Sequence, residues 1–86
     1  MDDHPKLLKE LIEVAPVWFT VGVFLDIELF KLEVIKRDYR DQSMDCLSVM
    51  LATWLKGTDA TPAVLVHALR SAGMTVLARK IAVKYG

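Results

Sequence analysis

The sequence predicts an all-α domain built from six short helices. Apolar residues recur at three- and four-residue spacing almost throughout, without the two-residue alternation that half-buried strands require. Proline and glycine fall between these apolar segments, where they begin or end helices. A chain of 86 residues can bury one hydrophobic core. We therefore expect a single domain over residues 1–86, with an ordered core over about residues 5–85.

The first two helices are separated by a proline. Helix 1 is predicted over Pro5–Val14, and Pro16 ends it because proline cannot donate the next backbone hydrogen bond. Proline also fits the first turn of a helix, so helix 2 is predicted over Pro16–Leu25. Gly22 weakens a helix interior by about 1 kcal/mol and therefore predicts a close approach of another helix. The inward residues are expected to be Leu7, Leu8, Leu11 and Ile12 in helix 1, and Trp18, Val21, Gly22 and Leu25 in helix 2.

Helices 3 and 4 are predicted on either side of a charged corner. Asp26 is expected to cap helix 3, which spans Ile27–Arg37. Helix 4 is predicted over Gln42–Lys56, and Gly57 is expected to end it in the left-handed conformation. The inward residues are expected to be Leu29, Leu32 and Ile35 in helix 3, and Leu47, Met50, Leu51, Trp54 and Leu55 in helix 4.

The start of helix 5 has the strongest local signal in the chain. Thr61 can cap the helix and Pro62 fits its first position. Gly73 is expected to end helix 5, and Thr75 is expected to cap helix 6. The inward residues are expected to be Leu65, Ala68, Leu69 and Ala72 in helix 5, and Leu77, Ala78 and Ile81 in helix 6. Six short helices bury such faces only by packing on one another as a bundle.

The charges are divided unevenly along the chain. Residues 1–59 contain eleven acidic and seven basic residues, a net charge of −4, whereas residues 60–86 contain four basic residues and no acidic one, a net charge of +4. A folded domain with ends of opposite sign can attract copies of itself or of a relative, head to tail. The alternative is that the charges of short segments differ by chance.

Residue types that carry catalysis or bind metals are sparse. Cys46 and His67 could serve as nucleophile and base, but no motif brings them together, and a buried thiol and a surface imidazole are expected instead. Two histidines and one cysteine do not have metal-site spacing, and no glycine-rich phosphate loop occurs. We predict no enzymatic activity, metal, cofactor or small-molecule substrate. Arg79, Lys80 and Lys84 are too few for the strongly basic face expected of a nucleic-acid-binding domain.

Three features bear on the cellular compartment. The longest uncharged stretch, Val14–Leu25, has twelve residues, whereas a membrane span needs about 20, so we expect no membrane insertion. A single cysteine excludes an internal disulfide and favours a reducing compartment. The start Met1–Asp3 is acidic and lacks the basic-then-apolar order of a signal peptide. Together these features predict a cytoplasmic location.

Three apolar patterns occur in the same order as in a known group of helical domains. Trp18–Ile27 reads Trp-x-x-Val-Gly-x-x-Leu-Asp-Ile, against the usual Trp-x-x-Leu-Ala-x-x-Leu-Gly-Leu. Met50–Leu55 reads Met-Leu-x-x-Trp-Leu, and Leu65–Ile81 reads Leu-x-x-Ala-Leu-x-x-x-Gly-x-x-x-Leu-Ala-x-x-Ile. In these patterns the chain resembles the death-domain branch of the death-fold superfamily. The resemblance spans about Leu7–Tyr85.

The resemblance implies both a topology and a function. Death domains are six-helix antiparallel bundles with Greek-key topology that assemble by homotypic contact in intracellular signalling of the apoptosis or inflammation type. The implied partners are other death domains, either copies of this chain or relatives, and the family is not enzymatic. Two alternatives remain open. One is a helical module that binds a peptide or RNA without homotypic assembly, and the other is a purely stabilising domain within a larger protein.

The resemblance also implies charged contact residues. The corner between helices 3 and 4 resembles the family's third contact mode and consists of Arg37, Asp38, Tyr39, Arg40 and Asp41. Beside the helix 4–5 loop, Lys56 and Asp59 resemble one half of another mode, and Arg70 and Arg79 resemble the other half. The alternative for each charge is plain solvation.

Helix 2 departs from the family by being apolar nearly all round. Phe19 and Val23 lie four residues apart, at positions where most relatives carry polar or charged residues. A helix that is apolar on all sides is either buried on all sides or exposes a contact patch. We expect Phe19 and Val23 to form an apolar anchor for a partner. The alternative is that neighbouring helices cover Phe19 and Phe24 within the fold.

Overall fold

The computed structural model describes residues 4–40, 42–57 and 60–85, and these residues form six α-helices and one 3₁₀ helix without any strand. The predicted all-α class with six helices is confirmed. The helices are α1 (His4–Glu10), α2 (Trp18–Phe24), α3 (Leu29–Tyr39), α4 (Ser43–Leu55), α5 (Pro62–Ser71) and α6 (Thr75–Tyr85), with the 3₁₀ helix (Ile12–Val17) between α1 and α2. All of the buried side chains in these ranges are apolar. None of these helices combines the length and apolar character needed to cross a bilayer.

The predicted continuation of helix 1 to residue 14 is wrong. α1 ends at Glu10, and the 3₁₀ helix that follows contains Pro16. Pro16 lacks an N–H and would crowd the carbonyl of Ile12 in an α-helix, so the chain tightens instead. The N–H of Val14 donates to the Leu11 carbonyl at 2.9 Å. This tightening changes the helical phase, and Ile12 is exposed, contrary to expectation, while Val14 is buried.

Gly22 brings α2 and α3 together, as the sequence predicted. A Cβ atom on Gly22 would lie 2.6 Å from Cδ2 of Leu32, which is fully buried on α3. A side chain at residue 22 would therefore force the two helices apart or displace Leu32.

Asp26 ends α2 and does not cap α3, so that prediction is wrong. Its φ of 63° is left-handed. Its N–H donates to the Val23 carbonyl at 3.1 Å, and the N–H of Ile27 donates to the Gly22 carbonyl at 3.2 Å. This pair of bonds is the Schellman motif, which closes the C-terminus of a helix. Glu28 precedes α3 without a capping bond from its side chain.

Only part of the predicted inward face of α3 is buried. Leu32 and Ile35 belong to the core, but Leu29 is 55% exposed, contrary to expectation. Leu29 is the first residue of α3, and side chains on a helix lean toward its N-terminus. Leu29 therefore extends past the end of the helix and away from the core.

α4 is the most buried helix and contacts α1, α2, α3 and the 3₁₀ helix. Most of its predicted inward residues are fully buried, and Leu55 is partly buried against the core. Gly57 is not left-handed, contrary to prediction. The helix instead ends in a tight turn, in which the N–H of Gly57 donates to the Trp54 carbonyl at 3.0 Å.

α5 and α6 form a hairpin whose boundaries were largely predicted. The N–H of Val64 donates to Oγ1 of Thr61 at 3.3 Å, so Thr61 caps α5 as expected. Gly73 ends α5 with a φ of 84°. α6 begins at Thr75 itself, and Met74 occupies the cap position because its carbonyl accepts from the N–H of Ala78 at 2.9 Å. The expected Thr75 cap is therefore displaced by one residue.

Candidate interaction surfaces

The charged corner between α3 and α4 is exposed to solvent. The exposed residues among those predicted there are Arg37, Asp38, Tyr39 and Arg40. Asp41, the fifth, lies outside the described residues. Arg40 follows the end of α3 with a left-handed φ of 43°, which turns the chain at this point. A depression of about 480 Å³ beside the corner is lined by one acidic and three basic residues, namely Glu33, Lys36, Arg37 and Arg40.

The second predicted pair of charged patches lies on α4, α5 and α6. Lys56 is exposed directly after α4, Arg70 is exposed in the last turn of α5, and Arg79 is exposed on α6. Asp59 lies outside the described residues. The patch on α5 and α6 is therefore accessible to another molecule.

One ion pair occurs among the residues described, and it joins Glu10 on α1 to Lys84 on α6. The hydrogen bond from Lys84 lowers the pKa of the Glu10 carboxyl, and the same bond raises the pKa of the Lys84 ammonium. Within the same ranges, Arg79 and Lys80 have no carboxylate at salt-bridge distance. Arg79 and Lys80 therefore form no ion pair within the described residues, although the charge of Lys80 also helps to lower the pKa of Glu10.

The apolar residues of α2 divide between the core and the surface. Phe19 is partly buried, with its ring 5.5 Å from the Trp18 ring in an edge-to-face arrangement. The Lys36 ammonium lies 5.7 Å from the centre of the Phe19 ring, within reach of a cation–π interaction. Val23 and Phe24 are exposed. Neighbouring residues therefore cover Phe19 in part, whereas Phe24 stays accessible.

Sequence reasoning missed the apolar surface of α3. Phe30 is 64% exposed and Leu29 is exposed beside it, while Val34 is partly buried. Phe30 and Val34 are four residues apart and out of phase with the buried pair Leu32 and Ile35. This second apolar stripe was the signal that could have revealed a contact face on α3.

Two adjoining cavities form a groove between α3 and α4, called here the α3–α4 groove. Each has a volume of about 260 Å³, and both are lined by Lys31 and Thr53. One end has a net negative charge, because its lining includes the acids Asp26 and Glu28 against the single base Lys31. The other end is apolar and is lined by Phe30, Val34 and Ile35. The groove therefore offers a carboxylate site and an apolar site side by side.

Cys46 and His67 lie in different environments. Cys46 is fully buried on α4, and its burial, together with the charge of Asp45, raises the pKa of the thiol. His67 is exposed on α5. A thiol of raised pKa is a poor nucleophile. Among the residues described, no three His, Cys, Asp or Glu side chains cluster at a distance suited to a metal ion.

Comparison with protein-family models, curated proteins and solved structures returned no significant match. The resemblance to death domains therefore stays a prediction from the residues quoted above.

Proposed function

We propose that this chain is a non-enzymatic protein-interaction module of the death-domain type, with Greek-key helix order, that assembles with copies of itself or with related modules in cytoplasmic signalling. The observation that carries the proposal is that exposed charges of opposite sign, without ion-pair partners among the described residues, occur at two places on a single helical bundle. Arg70, Arg79 and Lys80 are exposed on α5 and α6. The exposed acids Asp26 and Glu28 lie between α2 and α3.

Surfaces of opposite sign favour a head-to-tail contact between molecules. Contacts between unlike surfaces need not close into a ring, and they allow open assemblies. The charged corner at the end of α3 adds a further exposed surface of mixed sign, where Arg37 and Asp38 are neighbours. Electrostatic complementarity of this kind chiefly sets the specificity and the rate of association.

A charge-reversal experiment tests the proposal. Arg79→Glu places an acid on the basic face of α6 and is expected to weaken self-association, measured by light scattering against protein concentration. Lys9→Glu is a matched control, because Lys9 is an exposed lysine on α1 and its reversal changes the net charge equally. Equal association of both variants and the wild type would contradict a role for the basic face.

The alternative is a helical module that binds a peptide or RNA without homotypic assembly. The α3–α4 groove is the observation that favours a peptide, since its two ends match a short segment with one apolar and one basic residue. This alternative predicts a monomer at all protein concentrations and at all salt concentrations. The homotypic proposal predicts association that weakens with salt, because ions screen exposed charges.

A further inference from the structure

We infer that the α3–α4 groove of one molecule receives the outer face of α6 from a second copy of this chain. The inference rests on the proposed function and identifies the two surfaces that meet. It differs from the charged patches predicted from the sequence, because the groove and the valines described below combine an apolar contact with the charged one.

The outer face of α6 has an apolar and basic pattern at helical spacing. Val76 is 69% exposed and Val83 is 83% exposed. Arg79 and Lys80 lie between them, so the four residues follow the i, i+3, i+4, i+7 spacing that places side chains along one side of a helix. The same spacing is used by helices that dock in grooves. The fold does not bury this side of α6.

The chemistry of the groove matches this face. Each valine lies three or four residues from a base, a separation of about 5–6 Å along the helix. The acidic and apolar ends of the groove adjoin at Lys31 and Thr53. The charge of Lys31 repels an incoming base, so the attraction comes from the two carboxylates Asp26 and Glu28 together. A valine of α6 can therefore occupy the apolar end beside Phe30 while Arg79 or Lys80 reaches Asp26 and Glu28.

The occupant is a second copy because the same chain carries both halves of the contact. Residues 60–86 contain four basic residues and no acid, so the face of α6 repels other basic surfaces and is drawn to an acidic one. The groove and the α6 face are different surfaces of one molecule. Each molecule therefore offers one of each, and association proceeds head to tail.

One groove and one helix face form a small interface compared with the roughly 800 Å² per partner of a standard complex. A single contact is therefore expected to be weak, and experiments need protein concentrations approaching the millimolar range. Salt screens the charged part of the contact, whereas the apolar part has no charge to screen.

Two variants test the α3–α4 groove and the outer face of α6 separately. Phe30→Ser removes the apolar side chain at the groove, and Val76→Ser with Val83→Ser removes the two exposed valines of α6. Each variant alone is expected to lose self-association by at least tenfold in sedimentation equilibrium. Ile12→Ser is the matched control, since Ile12 is an exposed apolar residue of the 3₁₀ helix, outside both surfaces. Its association is expected to equal that of the wild type. Circular dichroism confirms the helical content of each variant.

A mixture of the Phe30 variant and the valine variant tests whether the groove and the α6 face bind each other. The groove variant keeps an intact α6 face, and the α6 variant keeps an intact groove, so an equimolar mixture is expected to form dimers that grow no further. A mixture that stays monomeric while the wild type assembles would overturn the pairing.

A charge swap tests the contact between the acidic end of the groove and the bases of α6. Glu28→Lys is expected to weaken association, and adding Lys80→Glu is expected to recover it. No recovery would overturn the acidic contact.

The outcomes also separate this inference from the proposed function. If both variants assemble like the wild type while Arg37→Glu prevents assembly, the homotypic function stands and the groove pairing is wrong. If the wild type itself is monomeric near millimolar concentration, the homotypic function is wrong and the pairing falls with it.

Discussion

α2 and α5 end in the same hydrogen-bonded turn, but different residues occupy its left-handed position. Gly73 has a φ of 84° after α5, and Asp26 has a φ of 63° after α2. In both turns the following residue donates its N–H five residues back, from Met74 to Leu69 and from Ile27 to Gly22. Glycine adopts this conformation freely, whereas a residue with a Cβ does so at a cost of about 1–2 kcal/mol, less for aspartate than for most.

Of these two turns, only the one after α2 places a strained residue at a candidate interaction surface. Asp26 lines the acidic end of the α3–α4 groove, so its unfavourable backbone conformation places a carboxylate at that groove. The turn at Gly73 carries no side chain, and no atom lies within 4 Å of the position where a Cβ would be. Strained residues often occur where a side chain serves a contact. The turn after α2 fits that pattern, and the turn after α5 only ends a helix.

Substitution of Gly22, whose carbonyl accepts the bond from Ile27 in the turn after α2, is expected to cost the most stability. Gly22→Ala brings a Cβ within 2.6 Å of Leu32, which is fully buried. We expect a loss of about 2 kcal/mol in the free energy of unfolding, because overpacking outweighs the better helix propensity of alanine. Urea unfolding measures it. In a Leu32→Ala background the added cost of Gly22→Ala is expected to disappear, and an unchanged cost there would contradict the steric explanation.

Substitution of Gly73 in the turn after α5 is expected to cause the next largest loss of stability. Gly73→Ala places a Cβ on a left-handed residue with free space around it, so the cost is that of the backbone alone, about 1 kcal/mol. Gly73→Asn is the matched control, because asparagine tolerates the left-handed conformation better than alanine does. We expect its effect on the midpoint of urea unfolding to be smaller. Equal losses in the two variants would mean that the conformation of Gly73 is not what requires glycine.

Asp26→Gly is expected to act in opposite directions on stability and on association. Glycine relieves the left-handed strain and should raise the free energy of unfolding by up to about 1 kcal/mol. Loss of the carboxylate should weaken self-association through the groove. Asp26→Asn separates the two effects, since asparagine also tolerates this conformation but carries no charge. If Asp26→Gly lowers stability, the account of this turn is wrong.

Removal of the ion pair between Glu10 on α1 and Lys84 on α6 is expected to change stability the least. Because the folded pKa of Glu10 is lowered, the pair contributes stability above the unfolded pKa of glutamate and loses it as the pH falls through the folded pKa. Because the folded pKa of Lys84 is raised, the contribution is also lost as the pH rises through that value. Lys84→Gln is therefore expected to flatten slightly the acid limb of the stability profile. Lys9→Gln is the control, because Lys9 is an exposed lysine of α1 that does not act on the pKa of Glu10, and an equal flattening there would contradict the assignment.

The parts of the fold that could be predicted depend on local signals or on regular spacing. Thr61 with Pro62 marked the start of α5, and the spacing of Leu47, Met50 and Leu51 marked the buried face of α4. The apolar spacing predicts the buried residues of α4 and α5 correctly because neighbouring helices cover one complete side of each. Gly22 predicted the close approach of another helix because little else explains a glycine inside a helix.

The wrong predictions of helix boundaries have physical causes that a short segment of sequence does not show. Pro16 tightened the chain into a 3₁₀ helix and so changed which residues face inward before it. Asp26 has the side chain of a typical N-cap, and only the bonds of the completed turn show that it ends the preceding helix. The charged corner was predicted as exposed because its residues are polar. The α3–α4 groove was not predicted, because a groove depends on how two helices pack.

Sedimentation equilibrium of the wild-type chain at low and high salt decides whether copies of this domain associate through surfaces of opposite charge. If they do, the average mass rises with protein concentration at low salt and rises less at high salt. A mass that stays at 9.7 kDa over all concentrations at both salt levels would show that the copies do not associate.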